Sequence, residues 1–334
     1  MKRFRVVLPW GRSLLTFLLS VFLLSAAVFY VSRLAPGDPL LSYYGDRAER
    51  MTPEERVWAE ERLGLRDPLS TQYLRWLEHA FQGDFGISYK YKMDVTQVIA
   101  SRMGNTLVLG GLGFLLLFLL APPLGLLCAR YEDRLLDRIL CRAGALTSCI
   151  PEFWLSLVLV LLFSVTLHWL PSSGAYSLGG GTLEDRAVHL ILPLSTVVLS
   201  HLWYYAYLVR SRVLEEVRAD YVLLAKAKGL TRREVLSRHC LRNVIPSYLS
   251  VMAVSVPHIL GGTYIVEAVF SYPGLGTLSY ESARYQDYNL LMLLCVLSGA
   301  AVMLCAGAAQ RISERIDPRM RPQPSTEGGE VIQL

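Results

Sequence analysis

The stretch TLVLGGLGFLLLFLLAPPLGLLCA, residues Thr106–Ala129, carries no charged side chain over 24 positions. About 20 such residues cross the ~30 Å hydrocarbon core of a bilayer as a helix, and a lone strand would leave its backbone groups unpaired there. The whole chain has 334 residues, 53% hydrophobic and only 18% charged. Its composition and apolar runs predict an all-α integral membrane protein with six membrane helices. The other five segments are Leu14–Val31, Phe153–Leu170, Leu190–Leu208, Tyr248–Ile265 and Asn289–Ala309.

The first segment also has features of a cleaved signal peptide, namely a basic start and the small residues Ser25-Ala26-Ala27. Its apolar core of about 20 residues is longer than the usual 7–15, and it continues past the cut site, so a retained helix is favoured. A long loop of about residues 34–104 follows it. Within this loop, Thr52–Leu65 predicts a capped surface helix. Pro68–Phe81 predicts an amphipathic helix that lies on the membrane or packs on the bundle.

Lysine and arginine favour the segments that share a side with the N-terminus, which predicts that both termini are cytoplasmic. The two short loops on the other side hold only Arg186 and Arg284. Loops beyond about 60 residues translocate largely regardless of charge, so the basic residues of the long first loop do not oppose this orientation. The net charge of +5 then reflects topology and contact with anionic lipids, not nucleic-acid binding. The basic residues on the predicted inner side are Lys2, Arg3, Arg5, Arg12, Arg130, Arg134, Arg138, Arg142, the cluster from Arg210 to Arg242, Arg311, Arg315, Arg319 and Arg321.

The chain carries no catalytic or phosphate-binding motif. GxxxxGK[ST], GxSxG and HExxH are absent, and the six cysteines lie in apolar segments or on the predicted inner side without metal-ligand spacing. We therefore expect no enzyme activity, no metal site and no disulfide. Acids at membrane depth are confined to the ends of apolar segments, at Glu152 and Glu267. Because ion-coupled transporters use buried ionisable groups, this scarcity disfavours such a transporter but leaves it as the alternative.

The stretch DYVLLAKAKGLTRREVLSRHCLRNVIP, residues Asp220–Pro246, is basic and helix-prone between two apolar segments. Gly229 can end one helix, while Thr231 and Glu234 form a capping-box pattern for the next. The pattern predicts two short helices with a tight bend outside the membrane. The small residues Ala225, Ala227 and Gly229 would let another surface approach closely. The simpler interpretation is a solvated loop near lipid headgroups.

These residues resemble the cytoplasmic EAA-type loop of bacterial ABC importer permeases. Seven further motifs occur in the same order as in one family of these permeases. Together they make nearly the whole chain resemble the first permease subunit of the dipeptide/oligopeptide/nickel family. The motifs are APGDP (Ala35–Pro39), LGLRDPLSTQYLRWL (Leu63–Leu77), GDFGISY (Gly83–Tyr89), PEFWLSLVLVLLFS (Pro151–Ser164), WLPSSG (Trp169–Gly174), GGTYIVEAVFSYPGLGTL (Gly261–Leu278) and DPRMR (Asp317–Arg321).

The resemblance implies the type I ABC importer permease fold in a bacterial inner membrane. The chain would form half of a translocation pore for short peptides or nickel and metal chelates. Its partners would be a second permease subunit in a heterodimer, two ATPase subunits and an extracellular substrate-binding protein. ATP and Mg²⁺ would bind the ATPase subunits, with no cofactor in this chain. The regions would be residues 1–34, the extracellular loop 35–104, a permease core 105–310 with the coupling loop 211–247, and a cytoplasmic tail 311–334.

Two sets of site residues follow. The resemblance implies that the first set couples the chain to the ATPase. The second set surrounds Pro273, Gly274 and Gly276, which break the helix; irregular backbone at membrane depth must be buried or line a cavity, so this segment would be part of an outer gate or of the translocation path. The simpler interpretation is a helix end with a short exposed loop. The coupling residues are Asp220, Tyr221, Ala225, Lys226, Ala227, Gly229, Arg238, Arg242, Asn243 and Pro246. The gate residues are Glu267, Phe270, Pro273, Gly274 and Gly276.

Overall fold

A computed structural model describes residues 7–34, 38–177 and 179–316, and in these ranges the regular structure is entirely helical. The predicted tail from residue 317 onward and residues 35–37 of the APGDP motif lie outside the described residues. The helices are α1 (Val7–Leu34), α2 (Pro39–Tyr44), α3 (Pro53–Arg62), α4 (Leu69–Phe81), α5 (Val95–Arg130), α6 (Leu135–Cys149), α7 (Glu152–Leu159), α8 (Leu183–Val217), α9 (Asp220–Ala227), α10 (Arg232–Glu234), α11 (Leu241–Val269), α12 (Leu275–Arg284) and α13 (Tyr288–Ile316). A 3₁₀ turn follows α2, and π-helical segments continue α7 (Val160–Thr166) and join α10 to α11 (Val235–Cys240).

Four helical stretches in the described part of the chain are long and apolar enough to cross a membrane: Leu14–Leu34, Val95–Arg130, Leu183–Val217 and Tyr288–Ile312. The helical stretches Leu135–Cys149 and Glu152–Thr166 would add a fifth crossing if they formed one span, with a bend of 103° between them. Four of the six predicted segments thus coincide with such helices. The segment Tyr248–Ile265 lies inside α11, and its status as a span remains a prediction, as does the total of six.

The core of the bundle lies between α5 and α8. Leu109, Leu117 and Ala121 of α5 are fully buried beside Ala206 and Val209 of α8. Gly125 permits this close approach, because a Cβ there would lie 2.5 Å from the carbonyl oxygen of Ala206. The contact between α5 and α8 therefore buries leucines together with small residues, while other leucines of α5, such as Leu115 and Leu119, stay exposed.

A buried ion pair fastens α6 to α8. Arg210 donates from Nε and Nη2 to the two carboxylate oxygens of Asp137, at 2.8 and 2.7 Å. The Asp137 side chain is only 3% exposed, and its Oδ2 also accepts from the backbone N–H of Asp133. Such a bidentate pair fixes the orientation of both helices, and removing one partner would leave a buried charge uncompensated.

The segment between α1 and α5 folds as predicted into short helices. Thr52 and Glu55 form the expected capping box of α3, and Pro53 occupies its first turn. On α4, Tyr73 is buried against Phe29 of α1 and its hydroxyl lies 2.9 Å from Ser25 Oγ. This face of α4 packs on the bundle, whereas Leu74 and Phe81 remain exposed.

One predicted element is corrected. The helix that begins after Gly229 is not short, because α10, the π-helical segment and α11 follow one another without a break from Arg232 to Val269. The sequence places Pro246 between Arg232 and the apolar run, where a proline favours a helix end, but α11 continues through it into the apolar segment.

Candidate functional sites

The predicted coupling segment is a short helix, α9, held against the start of the long helix that follows it. Val222 and Ala225 of α9 are buried with Val235 and Cys240 in a small apolar cluster. This cluster is separate from the main core of the bundle. The segment therefore has its own internal packing, which a solvated loop would lack.

The bend between α9 and α10 has the predicted chemistry. Gly229 has φ +81°, a left-handed conformation that costs an L-residue about 1–2 kcal/mol. Thr231 N–H donates to Glu234 Oε2 at 2.9 Å, and Glu234 N–H lies 3.4 Å from Thr231 Oγ1. The capping box is thus confirmed, and it fixes the angle at which the chain leaves the turn.

A hydrogen-bonded triad ties α9 to its neighbours. The Glu216 carboxylate at the end of α8 accepts from Tyr221 Oη at 2.5 Å and from Asn243 Nδ2 at 3.0 Å. Burial, together with the hydrogen bond to Glu216, raises the pKa of Tyr221, so the phenol remains a donor. Tyr221 and Asn243 therefore position the segment, since both donate to Glu216 at the end of α8.

The other predicted coupling residues lie around this core. Asp220 and Ala227 are exposed, Ala225 is buried, and Pro246 lies half-buried in α11. The side chains of Lys226, Arg238 and Arg242 lie outside the described residues, although their backbone is helical. The coupling role of all ten residues remains a prediction.

Sequence reasoning missed the outward face of α9. Leu223 and Leu224 are 65% and 59% exposed, on the side away from Val222 and Ala225. Large apolar side chains side by side on an exposed helix are typical of a contact surface. The signal was present, because a four-residue apolar run on an eight-residue helix cannot all face one buried stripe.

The predicted gate residues surround a buried carboxylate. Glu267, near the end of α11, is fully buried, and its carboxylate accepts from the N–H groups of Gly276 and Thr277 at 2.8 and 3.2 Å. Thr106 of α5 donates to its other oxygen at 2.7 Å and accepts from Leu275 N–H at 2.7 Å. A carboxylate thus lies at the N-terminus of α12, where the free N–H groups favour negative charge.

The glycines beside Glu267 are required by its size. A Cβ on Gly274 would lie 2.3 Å from the Glu267 carboxylate, and one on Gly276 would lie 2.6 Å from the Tyr264 backbone. Pro273 presents its carbonyl to Asn105 Nδ2 at 2.7 Å, and Phe270, also buried, presents its carbonyl to Gly174 N–H at 2.8 Å. The structure therefore brings all five predicted gate residues to one junction of α5, α11 and α12; their role in gating is untested.

The GDFGISY motif docks onto the other end of α12. The buried carboxylate of Asp287 accepts from Ser88 Oγ and from Lys90 N–H, at 2.5 and 3.1 Å. Glu281 on α12 accepts from Lys90 Nζ at 2.8 Å and from Tyr91 Oη at 2.5 Å. This contact, which we term the α12 clasp, joins the long first loop to the helix that Glu267 caps.

Comparison with known proteins decides the family. Residues 121–322 match the profile of the binding-protein-dependent transport system inner membrane component. The chain belongs to this family. It is an ABC importer permease subunit and a multi-pass inner-membrane protein, and ATP hydrolysis resides in separate subunits. This membership decides against the ion-coupled alternative.

Similar proteins span nearly the whole chain. It is 33% identical over 308 residues to the oligopeptide transport system permease protein AppB of Bacillus subtilis, covering 91% of this chain and 95% of AppB. It is 32% identical to OppB of Haemophilus influenzae, covering 93% and 98%, and 31% identical to OppB of Escherichia coli K12, covering 90% and 95%. These matches confirm the resemblance to permeases of the peptide family.

The fold also matches a solved structure, the inward-facing MetNI methionine ABC transporter. The TM-score is 0.54 at 17% identity, over 66% of this chain and 97% of the matched chain. At this identity the likeness concerns the fold alone. Because almost all of the smaller chain is matched, the similar fold accounts for about two thirds of this molecule.

Proposed function

We propose that this chain forms half of the translocation pathway of an ATP-driven importer of short peptides. A second, different permease subunit would complete the pathway, and an extracellular binding protein would deliver the substrate. Two ATPase subunits, which carry ATP and Mg²⁺, would drive the cycle, one of them seated on α9. Family membership and the names of the oligopeptide permeases that resemble the chain support this proposal.

The observation that carries the proposal is the exposed pair Leu223 and Leu224 on a helix whose position is fixed. Apolar side chains on a water-exposed segment are covered favourably by a groove on another protein. The cluster under α9, the Gly229 turn and the Glu216 triad hold the helix in place before docking. Little conformational entropy would then be lost on association, which favours a tight contact.

The test replaces both exposed leucines, as Leu223→Ser with Leu224→Ser. We expect normal membrane abundance, because neither side chain packs in the core, and about a tenfold or larger loss of co-purified ATPase, since hot-spot truncations cost 2 kcal/mol or more. Peptide uptake should fall with it. The matched control is Leu183→Ser. Leu183 is 87% exposed and is the first residue of α8, whose other end leads to α9.

Wild-type recovery of ATPase and wild-type uptake in the double variant would contradict the proposed docking of an ATPase subunit on α9. If the Leu183→Ser control also loses co-purified ATPase, the effect is a general destabilisation of the chain and not a loss of docking.

For the substrate, we propose short peptides over nickel or metal chelates, on the names of the similar permeases. The test is competition for uptake in cells that depend on this transporter. Unlabelled di- to pentapeptides should compete with a labelled peptide, and nickel uptake should not change on deletion of the chain. Loss of nickel uptake with normal peptide uptake would reverse the choice.

For the gate, we propose that the Glu267 junction closes the pathway on the side opposite α9. Opening would require α12 to separate from α5 or α11, which breaks the hydrogen bonds of Thr106 and Glu267. A disulfide between cysteines placed at Asn105 and Pro273, which the Asn105–Pro273 hydrogen bond brings together, should block uptake reversibly. Uptake that continues with the disulfide formed would exclude this junction as the gate.

A further inference from the structure

A cavity of about 540 Å³ lies where the end of α1 meets α3, α4 and the start of α13. Its lining is rich in arginine and aromatic side chains, with Asp84 as an acid in its wall. Ligand sites in proteins fall in this range of volume. The cavity lies at the Arg33 end of α1, and its lining includes none of the predicted coupling or gate residues.

Two donors in the wall lack an acceptor among the residues described. They are Arg33 Nη1 and Trp76 Nε1, both buried at the atom. Phe29 and Tyr288 cover the guanidinium of Arg33, with its central carbon 5.4 and 5.1 Å from their ring centres. Because aromatic rings occupy its faces, its edges are left for hydrogen bonds.

The acids nearby are already engaged. Asp84 accepts from His79 Nδ1 at 3.1 Å and from Gly86 N–H at 2.9 Å. Asp38 pairs with Arg56, and Asp67 pairs with Arg75 at 2.9 Å. In the described ranges Arg33 has no acid partner within ion-pair distance, and both Arg33 and Trp76 belong to the lining of this cavity. Buried donors of this kind call for an acceptor, and a charged donor calls for an anion.

The surroundings indicate where the anion comes from. Tyr30, Val31 and Leu34 are exposed on α1 around Arg33, and Leu74 and Phe81 are exposed on α4. Apolar side chains that end at a ring of aromatics and arginine are typical of the boundary between hydrocarbon and headgroups. The acyl chains of a phospholipid bound here could follow the exposed face of α1.

We propose that this cavity binds the phosphate of a membrane phospholipid, through the guanidinium of Arg33 and the indole N–H of Trp76. The site would anchor the α3–α4 region to the headgroup layer at this end of α1. The inference does not depend on the substrate or on which side of the membrane this end faces.

The test uses the full-length chain purified with its companion subunits in a neutral detergent. Dioctanoyl phosphatidylglycerol, digalactosyl diacylglycerol and inorganic phosphate are the three probes, and binding is measured by native mass spectrometry. We expect saturable binding of the phospholipid alone. Arg33→Gln should weaken it by about 10–100-fold, and Trp76→Phe, which keeps the ring and removes the donor, by about tenfold.

The control is Arg186→Gln, because Arg186 also lies over an aromatic ring, that of Tyr176, and its loss changes the charge equally. Its phospholipid affinity should stay at the wild-type value. Equal affinity in wild type, Arg33→Gln and Trp76→Phe would overturn the site. If the galactolipid binds as tightly as the phospholipid, the phosphate group is not what the cavity recognises. If inorganic phosphate binds as tightly as the phospholipid, the ligand need not be a lipid. If Arg33→Gln fails to fold, Trp76→Phe decides the question.

Discussion

Glu267 shows how one side chain can organise a junction of three helices. Its carboxylate satisfies Thr106, Gly276 and Thr277, and the surrounding glycines leave it the room to do so. Sequence reasoning noted Glu267 as one of two acids near the ends of apolar segments but found no partner for it. The partner Thr106 lies 161 positions away in the chain. Local spacing could not reveal that contact, whereas the capping pair Thr231 and Glu234 was predictable because it is local.

Replacing this carboxylate should destabilise the fold. Glu267→Ala removes the acceptor of Thr106, Gly276 and Thr277, which we expect to lower the free energy of unfolding by about 3 kcal/mol or more. The measurement is equilibrium unfolding in mixed micelles. Glu215→Ala is the control, because Glu215 is 64% exposed and its surface pair with Arg212 contributes at most about 1 kcal/mol. The same unfolding midpoint in both variants would contradict the proposed junction.

Two substitutions of Gly229 separate the effect of backbone strain from the effect of an added charge. No atom beyond its chain neighbours lies within 4 Å of a Cβ built there, so any crowding must come from a partner. Gly229→Ala adds only the strain of positive φ, about 1–2 kcal/mol. Gly229→Asp adds a charge that would lose water on docking.

We therefore expect Gly229→Asp to abolish ATPase co-purification and uptake at normal abundance, and Gly229→Ala to retain most of both. The experiment compares the two variants at equal membrane abundance. Normal uptake and ATPase recovery in the Asp variant would mean that this turn faces water throughout the cycle.

At the scale of elements, α12 is held at both ends by other parts of the chain. Glu267 caps its N-terminus, and the α12 clasp holds Glu281 and Asp287 at its C-terminal end. The GDFGISY motif supported the resemblance without an assigned role, and the clasp supplies one. The sequence could not show it, because Lys90 and Glu281 are 191 residues apart.

The clasp should depend on pH in a defined direction. Although burial acts to raise the pKa of Glu281, the hydrogen bonds from Lys90 and Tyr91 lower it below its ordinary value of 4.5. Burial, with the Glu281 carboxylate beside it, raises the pKa of Tyr91 to about 12, so the phenol remains a donor. A carboxyl group with a lowered folded pKa stabilises the fold above its unfolded pKa. That contribution is lost as the pH falls through the folded value.

We expect hydrogen exchange in residues 84–94 to accelerate as the pH falls below 4.5, beyond the intrinsic chemical trend. Glu281→Gln should remove much of that change, because the amide does not titrate in this range. Glu314→Gln, which alters a carboxylate bonded to Gln310 on α13, is the control and should behave like wild type. Identical pH profiles for wild type and Glu281→Gln would show that another group controls the clasp.

At the scale of the molecule, the sequence predicted the long apolar helices because hydrophobic length is a strong local signal. It did not predict the 103° bend between α6 and the α7 segment, nor the end of the π-helical stretch at Thr166, before the apolar run ends at Leu170. The bend falls at Ile150 and Pro151, between the end of α6 and the start of α7, because a proline disfavours helical backbone in the residue before it. Hydrophobic length alone does not detect such a break. The predicted topology therefore still needs a direct test.

We expect both termini to be cytoplasmic, on the distribution of lysine and arginine. Single cysteines introduced at Glu61 or Thr182, in a variant without the native cysteines, should react with a membrane-impermeant maleimide in intact cells. A cysteine at Arg233 should react only after lysis. All three positions are exposed, so accessibility within the fold does not explain a difference. Labelling of the Arg233 position in sealed cells would invert the topology.

The unbroken helical path from Arg232 to Val269 has a mechanical consequence. Its 38 residues span about 57 Å at 1.5 Å per residue. It starts at the capping box beside α9 and carries Glu267 near its far end. If the path moves as one rigid body, a tilt of about 10° around its midpoint displaces each end by roughly 5 Å, given that length. A push of that size on the turn at Gly229 would separate a 2.7 Å hydrogen bond at Glu267 with no further moving part.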